Sequence, residues 1–174
     1  MNKILLGISL ILFVICCNKK NDKDDTVTLK KIAYTGNEIR TDGYYYYEYG
    51  NPINILVFFY YRNGIVLNGS SSKLSEMPNV ETYYSDGTFY NSISTLKYYW
   101  GVFSVVDSVF SYEMWYPGEF EYPAYLKWGA IINDSTIHIS KSKRLNGSEE
   151  KAEDMLLHFK KFSPKPDSTN NFIE

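Results

Sequence analysis

Cysteine is the first thing this 174-residue chain lacks: it has two, Cys16 and Cys17, and none after them. Everything beyond residue 17 is therefore without an internal disulfide and without a Cys-based metal or redox centre. Histidine is equally scarce, with only His138 and His158. No His-x-x-x-His or Glu-x-x-His pair occurs, no Gly-rich phosphate loop and no Gly-x-Ser-x-Gly elbow. Glu113, Glu119 and Glu121 are carboxylates of the kind glycoside chemistry uses, but any β domain offers such groups. These absences point to a protein that is not an enzyme and holds no cofactor or metal. A basic excess is missing too. The formal net charge of −2 gives no reason to expect nucleic acid as a partner. Long apolar runs are limited to Ile4–Ile15, about twelve residues, where a membrane-spanning helix needs about twenty. Long amphipathic helical patterns are also rare.

What is present begins with that short apolar run. Lys3 precedes it and Val14-Ile15-Cys16-Cys17 follows it, the layout of a signal peptide with a charged start and an apolar centre. The four residues resemble the lipobox of bacterial lipoproteins, with Cys16 as the small residue before the cut and Cys17 as the lipidated thiol. Cys at the small position is less usual than Gly or Ala. The resemblance implies residues 1–17 as signal and lipobox, a mature chain tethered to a membrane through Cys17, and a cell-envelope location, the outer membrane above all. Residues 18–31 read as a polar tether, since Asn18–Asp25 contains no apolar side chain. Within it, Lys23-Asp24-Asp25 resembles the Lys-acidic-acidic export signal of Bacteroidota surface lipoproteins, which leaves the periplasmic and surface faces both open. Asp25-Thr26-Val27 and Asp167-Ser168-Thr169 resemble Bacteroidota O-glycosylation sites, implying Thr26 and Ser168 as acceptors. Asp107-Ser108 and Asp134-Ser135 match the same pattern but suit hairpin turns on their own chemistry.

Residues 32–162 read as one β domain, followed by a flexible tail at 163–174. Asp42–Tyr49 carries four successive tyrosines, and Ile53–Tyr61 is nearly all aliphatic and aromatic. Asn63-Gly64 and Asp86-Gly87 are two-residue hairpin signals. The second is expected to join strands at Val80–Tyr84 and Thr88–Tyr90. Ser92–Tyr98 and Glu149–Asp154 are expected as short helical turns, and Met155–Phe162 as the last strand. An internal echo links Trp100-Gly101 through Asp107-Ser108 to Trp128-Gly129 through Asp134-Ser135, each a strand, a turn and a returning strand. Each glycine is expected where a strand bends or another backbone comes close. This hairpin rhythm resembles the lipocalin-like small barrels of uncharacterised exported Bacteroidota lipoproteins. It implies an all-β antiparallel meander closed into a barrel, with a β-sandwich as the alternative. Closure would remove the exposed edges of a sheet so rich in β formers.

Seventeen tyrosines accompany ten phenylalanines and three tryptophans, mostly in neighbouring pairs. Neighbours on a strand face opposite sides, so half of these rings are expected inside and half paired on the outer face. The segment 115–125 has two prolines and a glycine, which makes it a loop. Its Trp115, Tyr116, Phe120, Tyr122 and Tyr125 are the candidate contacts for a ligand or partner. The functional expectation is a monomeric, non-catalytic, lipid-anchored binding protein. It takes a small apolar or glycan ligand at a barrel mouth or aromatic loop, or alternatively binds another envelope protein in a structural or inhibitory role.

Overall fold

A computed structural model describes residues 24–174, so Cys17 and the signal segment lie outside the described residues. Eight strands run in chain order: β1 (Gly43–Tyr49), β2 (Asn54–Tyr60), β3 (Ile65–Lys73), β4 (Trp100–Val106), β5 (Val109–Trp115), β6 (Ala124–Asn133), β7 (Thr136–Arg144) and β8 (Glu150–Lys161). Each pairs antiparallel with the next, and β8 returns to β1 through Gly43↔Lys161 to Tyr46↔His158. The sheet is therefore a closed up-and-down barrel, and the sandwich alternative falls with that closure. Tight turns set the register. Gly64 sits at φ +85° between β2 and β3, and Asp107 and Ser108 both have positive φ between β4 and β5, which matches the twist of the flanking strands.

Strand alternation sorts the aromatic and aliphatic side chains into two clusters. Tyr45, Phe58, Tyr60, Val66, Phe103, Phe110, Tyr112, Met114, Ile137, Ile139 and Leu157 fill the barrel. Tyr60 meets Phe103 at 5.2 Å and Phe110 at 5.0 Å, both edge to face. Eight strands give an interior that side chains can just fill, and here they do. The opposite set, with Tyr44, Val57, Phe59, Leu67, Trp100 and Trp115, lies on the outer face and is buried as well. The outer tyrosines are thus not an open surface, because three other segments cover them.

The first cover is an insertion between β3 and β4, with α1 (Met77–Ser85), α2 (Thr88–Ile93) and flanking 3-10 turns at Leu74–Glu76 and Lys97–Tyr99. This corrects the expected hairpin at Val80–Tyr90. Pro78 starts a helix, and Met77, Val80 and Tyr84 fall at i, i+3 and i+7 on its buried side. Gly87 does take φ +82°, but between two helices. Tyr84 donates to the Gly69 carbonyl at 2.5 Å, and Tyr44 to Glu81 at 2.6 Å. A second correction falls at Glu149–Asp154, where strand β8 replaces the expected helical turn because pairing with β7 overrides local helix preference.

The other covers are the two terminal segments. Residues 24–29, expected in a polar tether, lie along the outer face from the upper barrel end downward. Residues 32–40 then cross the lower end, where Ile39 is 1% exposed against the interior cluster. Residues 163–174, expected as a flexible tail, also pack on the barrel. Tyr61 donates to the Pro166 carbonyl at 2.7 Å, Lys165 donates to the carbonyls of Thr41 and Tyr60, and Ile173 is buried beside the N-terminal strap. Polar composition suggested solvated chain, but these groups have partners on the folded barrel.

Candidate functional site

The lower end of the barrel is plugged by residues 32–40, so the upper end is the place to look for a mouth. Its loops are 50–53, the helical insertion 74–99, 116–123 and 145–149. Inward positions near this end are not all apolar. Lys127 on β6 and Glu153 on β8 pair at 3.3 Å, with only 15% and 25% of their side chains exposed. Lys127 also lies 3.6 Å from the Met155 sulfur and 5.9 Å from the Tyr116 ring. Across the strands, Lys127 is level with Tyr112 and with buried Ser142. A groove of about 340 Å³ opens above, lined by Tyr125, Ser142, Arg144 and Lys151 among others.

Three phenols are buried around the ion pair. Burial raises the pKa of Tyr60, Tyr112 and Tyr116 and keeps each protonated; neighbouring Tyr45 adds to this at Tyr60 and Tyr116 at Tyr112, while the Tyr112 hydroxyl works against it at Tyr116. The hydroxyls of Tyr60 and Tyr112 are fully buried, and among the described residues neither has an aligned hydrogen-bond partner. A buried polar group without a partner carries a desolvation cost that its removal relieves. Tyr60→Phe is therefore expected to leave stability unchanged or raise it by up to ~1 kcal/mol in urea unfolding. A loss above that size would show that the hydroxyl has a partner.

The five aromatic candidates do not form one platform. Trp115 ends β5, buried, donating from its indole to the Asp25 carbonyl at 2.7 Å beneath the Lys97 ammonium at 4.5 Å. Tyr122 packs on Tyr98 at 5.9 Å. Tyr116 and Tyr125 meet edge to face at 5.3 Å and belong to the mouth. Phe120 alone is free, 74% exposed in the loop 116–123. Of the two candidate acceptors, Thr26 is exposed, while Ser168 is half-buried and accepts from Asn63 at 3.0 Å. His138 and His158 are both on the outer surface, the first bonded to Asp154 at 2.9 Å. Among the described residues, no group of three or more His, Cys, Asp and Glu is placed to hold a metal ion.

Sequence reasoning named Tyr116 and Tyr125 but missed Lys127, Ser142, Glu153 and the buried phenols Tyr60 and Tyr112. The signal that would have found them is a charge inside an inward stripe: Tyr125, Lys127, Gly129 on β6, and Glu153, Met155, Leu157 on β8. Comparison with protein-family models, curated proteins and solved structures returns no match for this chain.

Proposed function

We propose that this is a lipid-anchored, non-catalytic protein of the cell envelope that binds a small hydroxyl-rich ligand, of the glycan class, at the upper barrel mouth. The observation that carries this reading is the Lys127–Glu153 pair, largely buried among Tyr112, Tyr116 and Tyr125 at the end the N-terminal segment leaves open. Tyrosine faces and a charge pair suit a ligand with apolar ring faces and many hydroxyls. The packed interior argues against a long apolar ligand, because Phe58, Phe103 and Phe110 occupy the space it would need. Binding rather than turnover is favoured because neither histidine reaches the mouth.

The test is an NMR titration with neutral oligosaccharides of glucose, galactose and N-acetylglucosamine, with laurate as the apolar control. Saturable shifts at Lys127, Tyr125 and Ser142 with one oligosaccharide are expected, and Lys127→Met is expected to weaken that binding about tenfold or more, as loss of a charged hydrogen bond does. Shifts with laurate alone, or none at the mouth, would overturn the reading. One observation favours a second reading, binding to another envelope protein: the bare Phe120 ring, whose substitution would then abolish capture of that partner.

A further inference from the structure

We infer that the upper rim of the barrel, led by Phe120, faces and touches the lipid surface that holds the N-terminus. This rests on the reading of Cys17 as the lipidated residue. Three observations carry it: where the chain leaves the fold, how much chain remains, and what is exposed at that point.

The chain leaves the fold at the upper end. Asp24 accepts from Lys97 and from the Tyr122 amide, both at 2.9 Å, and these two residues stand just before β4 and β6 at their upper starts. Asp25 is buried in the same place, and Glu113 then receives Thr28 and Leu29 lower down the outer face of β5. Only residues 18–23 separate Cys17 from this fixed point. Seven Cα steps reach at most about 25 Å even when fully extended. The strap descends along β5, whose seven residues span about 20 Å between the upper and lower ends once strand tilt is allowed for. A flexible tether of this length averages only about 15 Å, so turning the lower end to a surface that holds residue 17 would stretch it nearly to its limit, whereas the upper end can rest there with chain to spare.

Both ends carry exposed apolar side chains, so exposure alone does not choose. The lower end shows Ile32, Val106, Val109 and Ile132, each 48% exposed or more. The upper end shows Phe120 at 74%, with Ile53, Leu74 and Tyr49 across the rim. The tether decides between them. Phe120 is two residues from Tyr122, whose amide is bonded to Asp24, the tether's fixed point. An exposed Phe ring beside an anchored exit can bury its apolar area at the headgroup–acyl boundary. The mouth then opens toward the headgroup layer.

The experiment uses the full chain isolated from membranes of a host that lipidates it, reconstituted in phosphatidylcholine vesicles bearing a headgroup-level spin-labelled lipid. The described chain has no cysteine, so Glu119→Cys and Val106→Cys give single sites for an environment-sensitive fluorophore. The mass of the N-terminal peptide reports the lipid on Cys17. With that lipid present, quenching at residue 119 and none at 106 is the expected result, and Phe120→Ser is expected to reduce the quenching at 119. With the lipid present, quenching at 106, or at neither site, overturns the rim orientation and leaves the anchor standing. Absence of lipid from Cys17 overturns both.

Discussion

Gly129→Ala is expected to lower folding stability by at least ~3 kcal/mol, at or beyond the upper end of what overpacking costs. A Cβ at that position would stand 1.8 Å from the His138 carbonyl oxygen and 2.8 Å from the Ile139 Cα. Both obstacles are backbone of the paired strand, so no side chain can swing aside. The site is also where the β6–β7 register shifts, between Trp128 and Gly129. Relief would require the two strands to separate at a bulge that keeps Ile137 and Ile139 pointing into the barrel. Gly101 is the counterpart in the earlier hairpin, with the Glu113 carbonyl oxygen 2.2 Å from its missing Cβ. Gly147 is the control. Its nearest obstacle lies 3.4 Å away, and Gly147→Ala is expected to stay within ~0.5 kcal/mol of the parent. Urea unfolding followed by far-UV circular dichroism measures all three. An unchanged midpoint for Gly129→Ala would mean that the strands do not approach each other in this way.

That glycine pair was legible in the sequence, because a repeated Trp-Gly, strand, turn and strand pattern has few other uses in a β domain. The barrel strands were legible for a similar reason: Tyr44 to Tyr47 and Ile55 to Tyr61 are β formers on both faces. The same chemistry hid the helical insertion. Val80, Tyr83, Tyr84, Phe89 and Tyr90 have strand preference, and only their spacing against the outer face of β1–β4 makes helices of them. The straps were hidden for a different reason. Thr28 meets Glu113 across 85 positions of sequence, and Asn146 meets Asp25 across 121. No local pattern reports a partner that distant. The mouth lay between these cases. Lys127 was readable as an inward charge once β6 was in register with Tyr112, but Glu153 sat in a segment whose Glu, Lys and Ala content favours helix.

A barrel with both faces buried also changes what its termini do. Trp100, Trp115 and Val102 would be exposed apolar surface if residues 24–31 and 163–174 left the outer face. The terminal segments are therefore part of the core, and the fold is a barrel inside a partial second shell. The insertion, the N-terminal strap and the tail meet there: Tyr90 donates to the Thr169 carbonyl at 2.9 Å, and Lys31 to the Ile173 carbonyl at 3.2 Å. A change that loosens one strap is expected to be felt by the other.

Asp25→Ala tests this shell, and a loss of about 3 kcal/mol is expected, the lower end for breaking a buried ion pair. The Asp25 side chain is 2% exposed and pairs with Arg144 at 2.9 Å, while it also accepts from the Ala124 amide at 3.0 Å and from Asn146. Arg144 keeps Glu121 at 2.6 Å and is itself a third exposed, which holds the loss to the lower end of the range. The effect should concentrate in the strap, with faster amide exchange at Thr28 and Leu29 and slower change at Ile137 and Ile139 in the barrel interior. Acid should act in the same direction. Burial raises the Asp25 pKa, but the Arg144 hydrogen bond, the Ala124 amide, the Arg144 charge and the Asn146 amide together bring it below the ordinary 3.8. The unfolded chain then takes up the proton first as pH falls. The contribution of this group is complete above pH ~4 and is lost as pH drops through the folded value. Asp25→Asn removes the titration, so the stability gap between parent and variant is expected to be widest near neutral pH and to close below pH 4. A gap that stays constant down to pH 2 would mean that the carboxylate charge does not hold the strap. In that case the rim orientation loses its fixed point at Asp24 as well.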